Sequence, residues 1–192
     1  MGKFESTPTP LEGLKVIQPT VLGDSRGFFM ENYSVRDFAA LGINETFVQD
    51  NHSKSRRGVL RGLHFQTSRP QAKLIRVIAG SVFDVAVDLR PESATFGGWF
   101  GLVLSAQNNL QLYVPPRFAH GFLTLEEETE FLYKCSEYYD SASDGGIAWN
   151  DPAIGVEWSP SQWGIEPDQL LLSEKDKNLP ALATINKSTL WK

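Results

Sequence analysis

The stretch KLIRVIAGSVFDVAVDL, residues 73–89, decides the fold class. It is rich in Val, Ile and Phe and breaks at Ala79-Gly80, where a glycine can turn the chain, so it reads as two successive strands. In the second, Phe83, Val85, Val87 and Leu89 alternate with Asp84, Ala86 and Asp88. A period of two places these sets on opposite sides of a strand, whereas a helix would need apolar residues three and four apart.

The same alternation continues outward. WFGLVLS (99–105), QLYVPP (111–116) and TEFLYKCSEYY (129–139) read as further strands, with AQNN (106–109) and RFAHG (117–121) as turns between them. Many short strands with few helices predict a mainly β chain, an antiparallel jelly roll or barrel with a few short peripheral helices. In SVRDFAALG (34–42), Ser34 can cap a helix, Val35, Phe38, Ala39 and Leu41 supply an apolar stripe, and Gly42 can end it. Past Tyr139 the chain turns rich in Gly, Pro, Trp and Asp, which predicts loops lying against the sheets. In SEKDKNLP (173–180), Ser173 stands three residues before Asp176, a spacing that predicts a short capped helical turn.

At 192 residues, with 41% hydrophobic residues, the chain suits one domain with a substantial core. Its net charge of −5 argues against nucleic acid or an anionic membrane as partner. No apolar run approaches the roughly 20 residues that cross a bilayer, and the first ten residues lack an apolar signal segment. A cytoplasmic protein is expected, and the single Cys135 excludes an internal disulfide framework. The opening MGKFES is a weak match to a myristoylation pattern. Charge is unevenly spread: no acidic residue lies between Asp50 and Asp84, while Lys54, Arg56, Arg57, Arg61, Arg69, Lys73 and Arg76 all do. Such a run is either a solvated basic edge or a local anion site for a small phosphorylated ligand.

A jelly roll with histidines invites a metal hypothesis. The chain resembles the cupin framework, whose metal ligands come from two motifs. His64 takes the first ligand slot, Gln66 stands where a second histidine belongs, Lys73 stands at the glutamate position, and His120 takes the last slot. A lysine ammonium has no lone pair to offer, so neither metal nor other cofactor is expected. An ammonium there can instead stabilise negative charge developing on a carbonyl oxygen. A base beside it, His64, then suggests removal of a proton from the carbon next to a ketone. Returning that proton to the other side of the carbon needs a separate acid across the ring. Tyr133, which shares an alternating face with Phe131 and Cys135, is the candidate among Tyr133, Tyr138 and Tyr139.

These residues sit in a longer pattern. GDSRGFFMENY, FVQDNHSKS, GVLRGLHFQ, FDVAVDLR, VPPRFAHGF, FLYKCSEYY, IAWNDPAIGVEW and LSEKDK, in this order, resemble the dTDP-4-dehydrorhamnose 3,5-epimerase family over residues 12–178 or so. The resemblance implies a metal-free jelly-roll homodimer that inverts carbons 3 and 5 of dTDP-4-dehydro-6-deoxy-D-glucose. These carbons flank the ketone at carbon 4, so one chemistry serves both. It further implies His64 as general base, Asp176 as the carboxylate that orients it, Tyr133 as general acid and Lys73 as enolate stabiliser. Arg26, Glu31, Gln49, Asp50, Asn51 and Arg61 resemble nucleotide contacts, some of them offered to the partner subunit's site. Tyr139 resembles the residue stacking on thymine, and His120, Asp144 and Lys175 resemble further ligand contacts. Asp84 is a second candidate partner for His64. A single-site epimerase or ketoisomerase shares most of this site. A binding jelly roll without catalysis would need no acid opposite the base.

One conflict remains within GVLRGLHFQ. Strict alternation puts Arg61 with Val59, Leu63 and Phe65, and His64 with Leu60, Gly62 and Gln66, on opposite faces. Both can enter one pocket only if the strand is interrupted, and Gly62 is the place for a bulge or bend.

Overall fold

The structure is a computed structural model that describes residues 3–187, 190 and 191; Gly2, the residue the myristoylation pattern depends on, lies outside them. The described strands are β1 (Phe4–Pro8), β2 (Lys15–Pro19), β3 (Leu22–Asp24), β4 (Gly27–Phe29), β5 (Gln49–Ser55), β6 (Leu60–Gln66), β7 (Lys73–Ala79), β8 (Ser81–Asp88), β9 (Trp99–Ser105), β10 (Gln111–Val114), β11 (Phe118–Thr124), β12 (Thr129–Cys135) and β13 (Asp144–Gly146). They form a sheet in the order β1-β2-β10-β7-β12-β5, a second in the order β13-β6-β11-β8-β9, and a small β3-β4 hairpin, and every pairing between them is antiparallel. The break predicted at Ala79-Gly80 is the point where the chain leaves the first sheet for the second. Gly80 has φ +70°, and a Cβ there would lie 2.3 Å from Thr129 Oγ1, so the switch depends on glycine.

Alternation sorts the side chains into three layers. Between the sheets, Ile75, Val77, Leu112, Val114 and Phe131 of the first meet Val82, Ala86, Leu104, Phe118 and Phe122 of the second. The outer face of the second sheet, with Leu63, Phe65, Phe83, Val85, Val87 and Leu123, packs under Ile147, Ile154, Trp158, Ile165 and Leu182 from the tail. The outer face of the first sheet packs Leu74, Ile17 and Tyr113 against Phe38 of the first helix, α1 (Val35–Ala40). The predicted tail of loops is thus one wall of the core.

Three expectations need correction. RFAHG is not a turn, because Phe118–Thr124 is a fully buried strand and the turn sits before it, at Arg117 with φ +68°. The polar-looking dipeptide Ala-His hides a central strand because His120 faces a paired carboxylate rather than solvent. In α1 the cap and the terminating Gly42 at φ +77° stand as expected, with Ser34 accepting from the Asp37 amide, but of the apolar stripe only Phe38 is buried and Val35 is exposed. The alternation reading also passes over β1, β2, the β3-β4 hairpin, β5 and, in the expected tail of loops, β13. β5, QDNHSKS, contains no apolar residue and is a strand through its ladder with β12, in register from Gln49↔Cys135 to Ser55↔Thr129.

Candidate active site

Between the sheets the apolar layer gives way at one end to polar side chains. From the second sheet, β6 presents Arg61, His64 and Gln66, β11 presents His120 and β8 presents Asp84. From the first, β7 presents Lys73, in phase with Ile75 and Val77; β12 presents Tyr133 and Cys135, in phase with Phe131; and β5 presents Gln49 and Asn51. All but the fully buried Asp84 line two hollows of about 300 and 280 Å³, which share Asn51, His64, Lys73 and Tyr133 and so are lobes of one cleft. That is the size range of small-molecule sites.

The interruption predicted at Gly62 is what lets Arg61 and His64 enter together. Leu60, Leu63 and Phe65 all belong to the outer core, whereas Arg61 and His64 both line the cleft. The phase of β6 therefore slips by one residue at Gly62, and the pairing of β11 with β6 shifts between His120 and Phe122. Gly62 has φ +126°, and a Cβ there would stand 2.5 Å from Gly121 Cα, so neither the conformation nor the space admits a side chain.

His64 Nε2 donates to Asp176 Oδ1 at 2.5 Å. Asp176 arrives on the second helix, α2 (Glu174–Lys177), where the Ser173 cap accepts from the Asp176 amide and donates to its Oδ2 at 2.8 Å. The delivery is long-range but simple. Leu171 bridges in parallel to Val59, donating to the Gly58 carbonyl and accepting from the Leu60 amide, and five residues onward along the two segments lie Asp176 and His64. Burial alone would raise the Asp176 carboxyl, but the hydrogen bond and charge of His64, with Ser173 and Lys175, outweigh it and hold it below the usual carboxylate range. Asp84 does not touch His64; its two oxygens accept from His120 Nε2 at 2.9 and 3.0 Å.

Across the cleft, Lys73 begins β7, paired to Cys135 on β12, and its Nζ stands 5.9 Å from the centre of the Tyr133 ring. Burial pushes the Lys73 ammonium below the usual lysine range against the pull of Cys135, Asp84 and Asp144. Burial likewise pushes the Tyr133 phenol up, with Cys135 adding to it and Arg61 opposing, so the hydroxyl keeps its proton. At the mouth, Asp144 Oδ2 accepts from Tyr139 at 3.0 Å and from Lys175 at 2.5 Å. Gln49 bonds Asn51 at 2.9 Å and the Tyr139 amide at 3.0 Å.

Three of the residues expected in the site lie elsewhere in this chain. Asp50, between Gln49 and Asn51, points through the sheet to the opposite face and pairs with Lys134 at 2.8 Å, as period two requires. Arg26, at the tip of the β3-β4 hairpin, pairs with Asp24 at 2.5 Å, and Glu31 pairs with Lys3; neither lines the cleft. The basic run also divides. Only Arg61 and Lys73 reach the cleft, while Arg57 donates to the carbonyls of Leu125, Trp163 and Gly164, Lys54 pairs with Glu128 and Arg69 with Asp140. Gln71 and Cys135 line the cleft without having been singled out as site residues. Cys135 was legible as a neighbour of Tyr133 in phase, and Gln71 carried no signal. Among the described residues, no three His, Cys, Asp or Glu side chains group so as to hold a metal ion.

A family model for dTDP-4-dehydrorhamnose 3,5-epimerase matches residues 8–184. The chain belongs to the dTDP-4-dehydrorhamnose 3,5-epimerase family. Within it, the chain is 53% identical over 176 residues to the dTDP-4-dehydrorhamnose 3,5-epimerase of Salmonella typhimurium, covering 91% of this chain and 93% of that one. It is 49% identical over 178 residues to the enzyme of the same name from Methanothermobacter thermautotrophicus, covering 93% and 94%. The crystal structure of the Legionella pneumophila dTDP-6-deoxy-D-glucose-3,5-epimerase in complex with dTDP-4-keto-L-rhamnose superposes with a TM-score of 0.92 at 42% identity, covering 98% of each chain.

Proposed function

We propose that this chain is an isomerase that inverts carbon 3 and carbon 5 of dTDP-4-dehydro-6-deoxy-D-glucose to give dTDP-4-dehydro-L-rhamnose. The observation that carries this reading is the opposition of His64 and Tyr133. His64 stands on the second sheet and Tyr133 on the first, so a ring held between the sheets has a base on one face and an acid on the other. The Asp176 carboxylate accepts the hydrogen bond from His64 Nε2, which keeps the ring proton there and leaves Nδ1 with the lone pair that removes the proton next to the ketone. Negative charge then develops on the ketone oxygen, where the Lys73 ammonium stabilises it. Tyr133 returns a proton from the opposite face, and the carbon is inverted.

Arg61, at the other end of the cleft, is suited to a diphosphate because its planar fork makes two parallel hydrogen bonds. Gln49, Asn51, Tyr139, Asp144 and Lys175 form the wall assigned to the nucleotide, and His120 contacts the sugar. Arg26 and Glu31 fit this site only as contributions to a partner's cleft. The hairpin that carries Arg26 exposes Leu22, Phe28 and Phe29, an apolar surface that a homodimer would cover. The single domain acts in the cytoplasm on this reading; among the described residues no helix is long and apolar enough to cross a membrane.

Incubation with dTDP-4-dehydro-6-deoxyglucose in heavy water, followed by NMR, tests the reading. Deuterium at carbons 3 and 5 is the expected result, label at one carbon alone would make it a single-site epimerase, and no label would sink the enzyme reading. His64→Asn removes the base and leaves the phosphate contacts, so exchange should fall at least ~100-fold while dTDP binding stays near its original strength.

A further inference from the structure

The cleft contains a second histidine–carboxylate pair, and the proposed chemistry gives its carboxylate no part. His120 lies directly opposite His64 in the β11-β6 ladder. Its Nε2 is held by both oxygens of Asp84, whose side chain is fully buried. The imidazole is also held in its plane by Phe131, whose ring stacks on it at 6.1 Å and 27°, with Phe122 stacked on Phe131 at 4.2 Å. A ring fixed by a carboxylate on one nitrogen and an aromatic face below it has a single orientation and a single way to carry its proton.

The two nitrogens are therefore not equivalent. A carboxylate accepts only, so Nε2 carries the proton. Nδ1 makes no hydrogen bond to any described residue, and it is not among the sealed polar atoms that lack partners, so it opens onto the cleft that His120 lines. Burial lowers His120 below the usual imidazole range, with Lys73 and His64 adding to this against the pull of Asp84, which keeps the ring neutral. A neutral ring with its proton on the far side presents a lone pair to whatever enters.

We propose that Asp84 is a positioning residue that fixes His120 as a hydrogen-bond acceptor for a ring hydroxyl of the sugar, giving the cleft one dyad for proton removal and a second for holding the ring. This rests on the sugar-nucleotide reading above. Of the polar groups on the inner face, Arg61 and Lys73 can only donate, and the amides of Asn51 and Gln66 and the Tyr133 phenol can do either, whereas His120 Nδ1 only accepts. A ring hydroxyl adjoining the ketone needs such an acceptor, and an acceptor that cannot become a donor distinguishes a hydroxyl from a second carbonyl oxygen. The same Asp84 supports the charge of Lys73, so its loss would act on two groups, and activity alone would not separate them.

The three histidines of the chain allow ¹⁵N-histidine NMR to read the tautomer directly. At pH 7 the resting wild-type protein should show His120 neutral with its proton on Nε2, and saturating dTDP-glucose, which has ring hydroxyls but no ketone, should move the Nδ1 signal toward the hydrogen-bonded range while dTDP alone does not. In Asp84→Asn the amide can donate to Nε2, so the proton should shift to Nδ1 and kcat/KM should fall about 10-fold, the equivalent of one hydrogen bond. An imidazolium or an Nδ1-protonated His120 in the wild type overturns the proposal, as does an Nδ1 signal unmoved by bound dTDP-glucose; these arms stand even if the variant fails to fold. Failure of the wild type to exchange deuterium would sink the epimerase reading instead, and would leave the resting tautomer as it is.

Discussion

At the scale of single residues, the cleft separates groups of similar chemistry by what each one touches. His64 and His120 are neighbours in one ladder, yet His64 is bound to a carboxylate from the tail and His120 to one from β8. The alternation of β8 made Asp84 a reasonable partner for His64, and only the placement of α2, which brings Asp176 to that ring, decided against it. Tyr133 gives a prediction at this scale. Tyr133→Phe leaves the base and the ammonium in place, so deuterium should still enter the substrate at carbons next to the ketone. Inversion should fall ~100-fold or more, because the acid on the opposite face is gone. Following exchange and product formation in one NMR tube checks this; equal losses of both would mean that Tyr133 does something other than reprotonate.

At the scale of elements, β6 shows what a single glycine does for a site. Its break in phase brings an arginine and a histidine three positions apart, which regular alternation would put on opposite faces, into one cleft while Leu60, Leu63 and Phe65 stay in the outer core. Gly62→Ala would force a Cβ to within 2.5 Å of Gly121 Cα at a φ of +126°. The expected cost is about 3 kcal/mol, which for a chain of this size lowers Tm by roughly 6–12 °C. Gly23→Ala, whose Cβ would meet nothing closer than 3.8 Å, should change stability by less than ~0.5 kcal/mol and serves as the control in the same thermal melts. The element α2 shows the complementary case: four residues and one serine cap suffice to aim a carboxylate because Leu171 has already tied the approaching chain to the start of β6.

At the scale of the whole molecule, the connection from β8 to β9 is held by a buried carboxylate. Asp88 accepts from Arg90 at 2.9 and 2.7 Å, from Ser93 at 2.6 Å and from Thr95 at 2.7 Å. Burial would raise its carboxyl, but these donors outweigh burial and hold it at about 2. A carboxyl lowered by folding contributes stability that is complete above its unfolded value, near 3.9, and is lost as pH falls toward the folded one. Asp88→Asn should therefore cost roughly 2 kcal/mol at pH 7, and the gap to the wild type should close as pH falls from about 5 to 2. Urea unfolding at several pH values measures it; a gap that stayed constant with pH would mean that the loop is held by something other than this charge.

The periodicity of residues 73–89 and of 99–105 and 129–135 determined by itself that the chain is built of strands and which side chains share a face, because side-chain direction along a strand is a local property. It located the break at Gly62 for the same reason: two residues wanted in one pocket stood out of phase. Apolar patterning was blind to β5 and mistook the start of β11 for a turn, since their polar residues are accounted for by ladders and partners distant in sequence. Only the tertiary structure decided that Asp176 meets His64, that Asp84 meets His120 and that Asp50 turns away from the cleft. These are contacts between segments 36 to 112 positions apart, and Coulombic and hydrogen-bond energies depend on distances in space that no spacing along the chain prescribes.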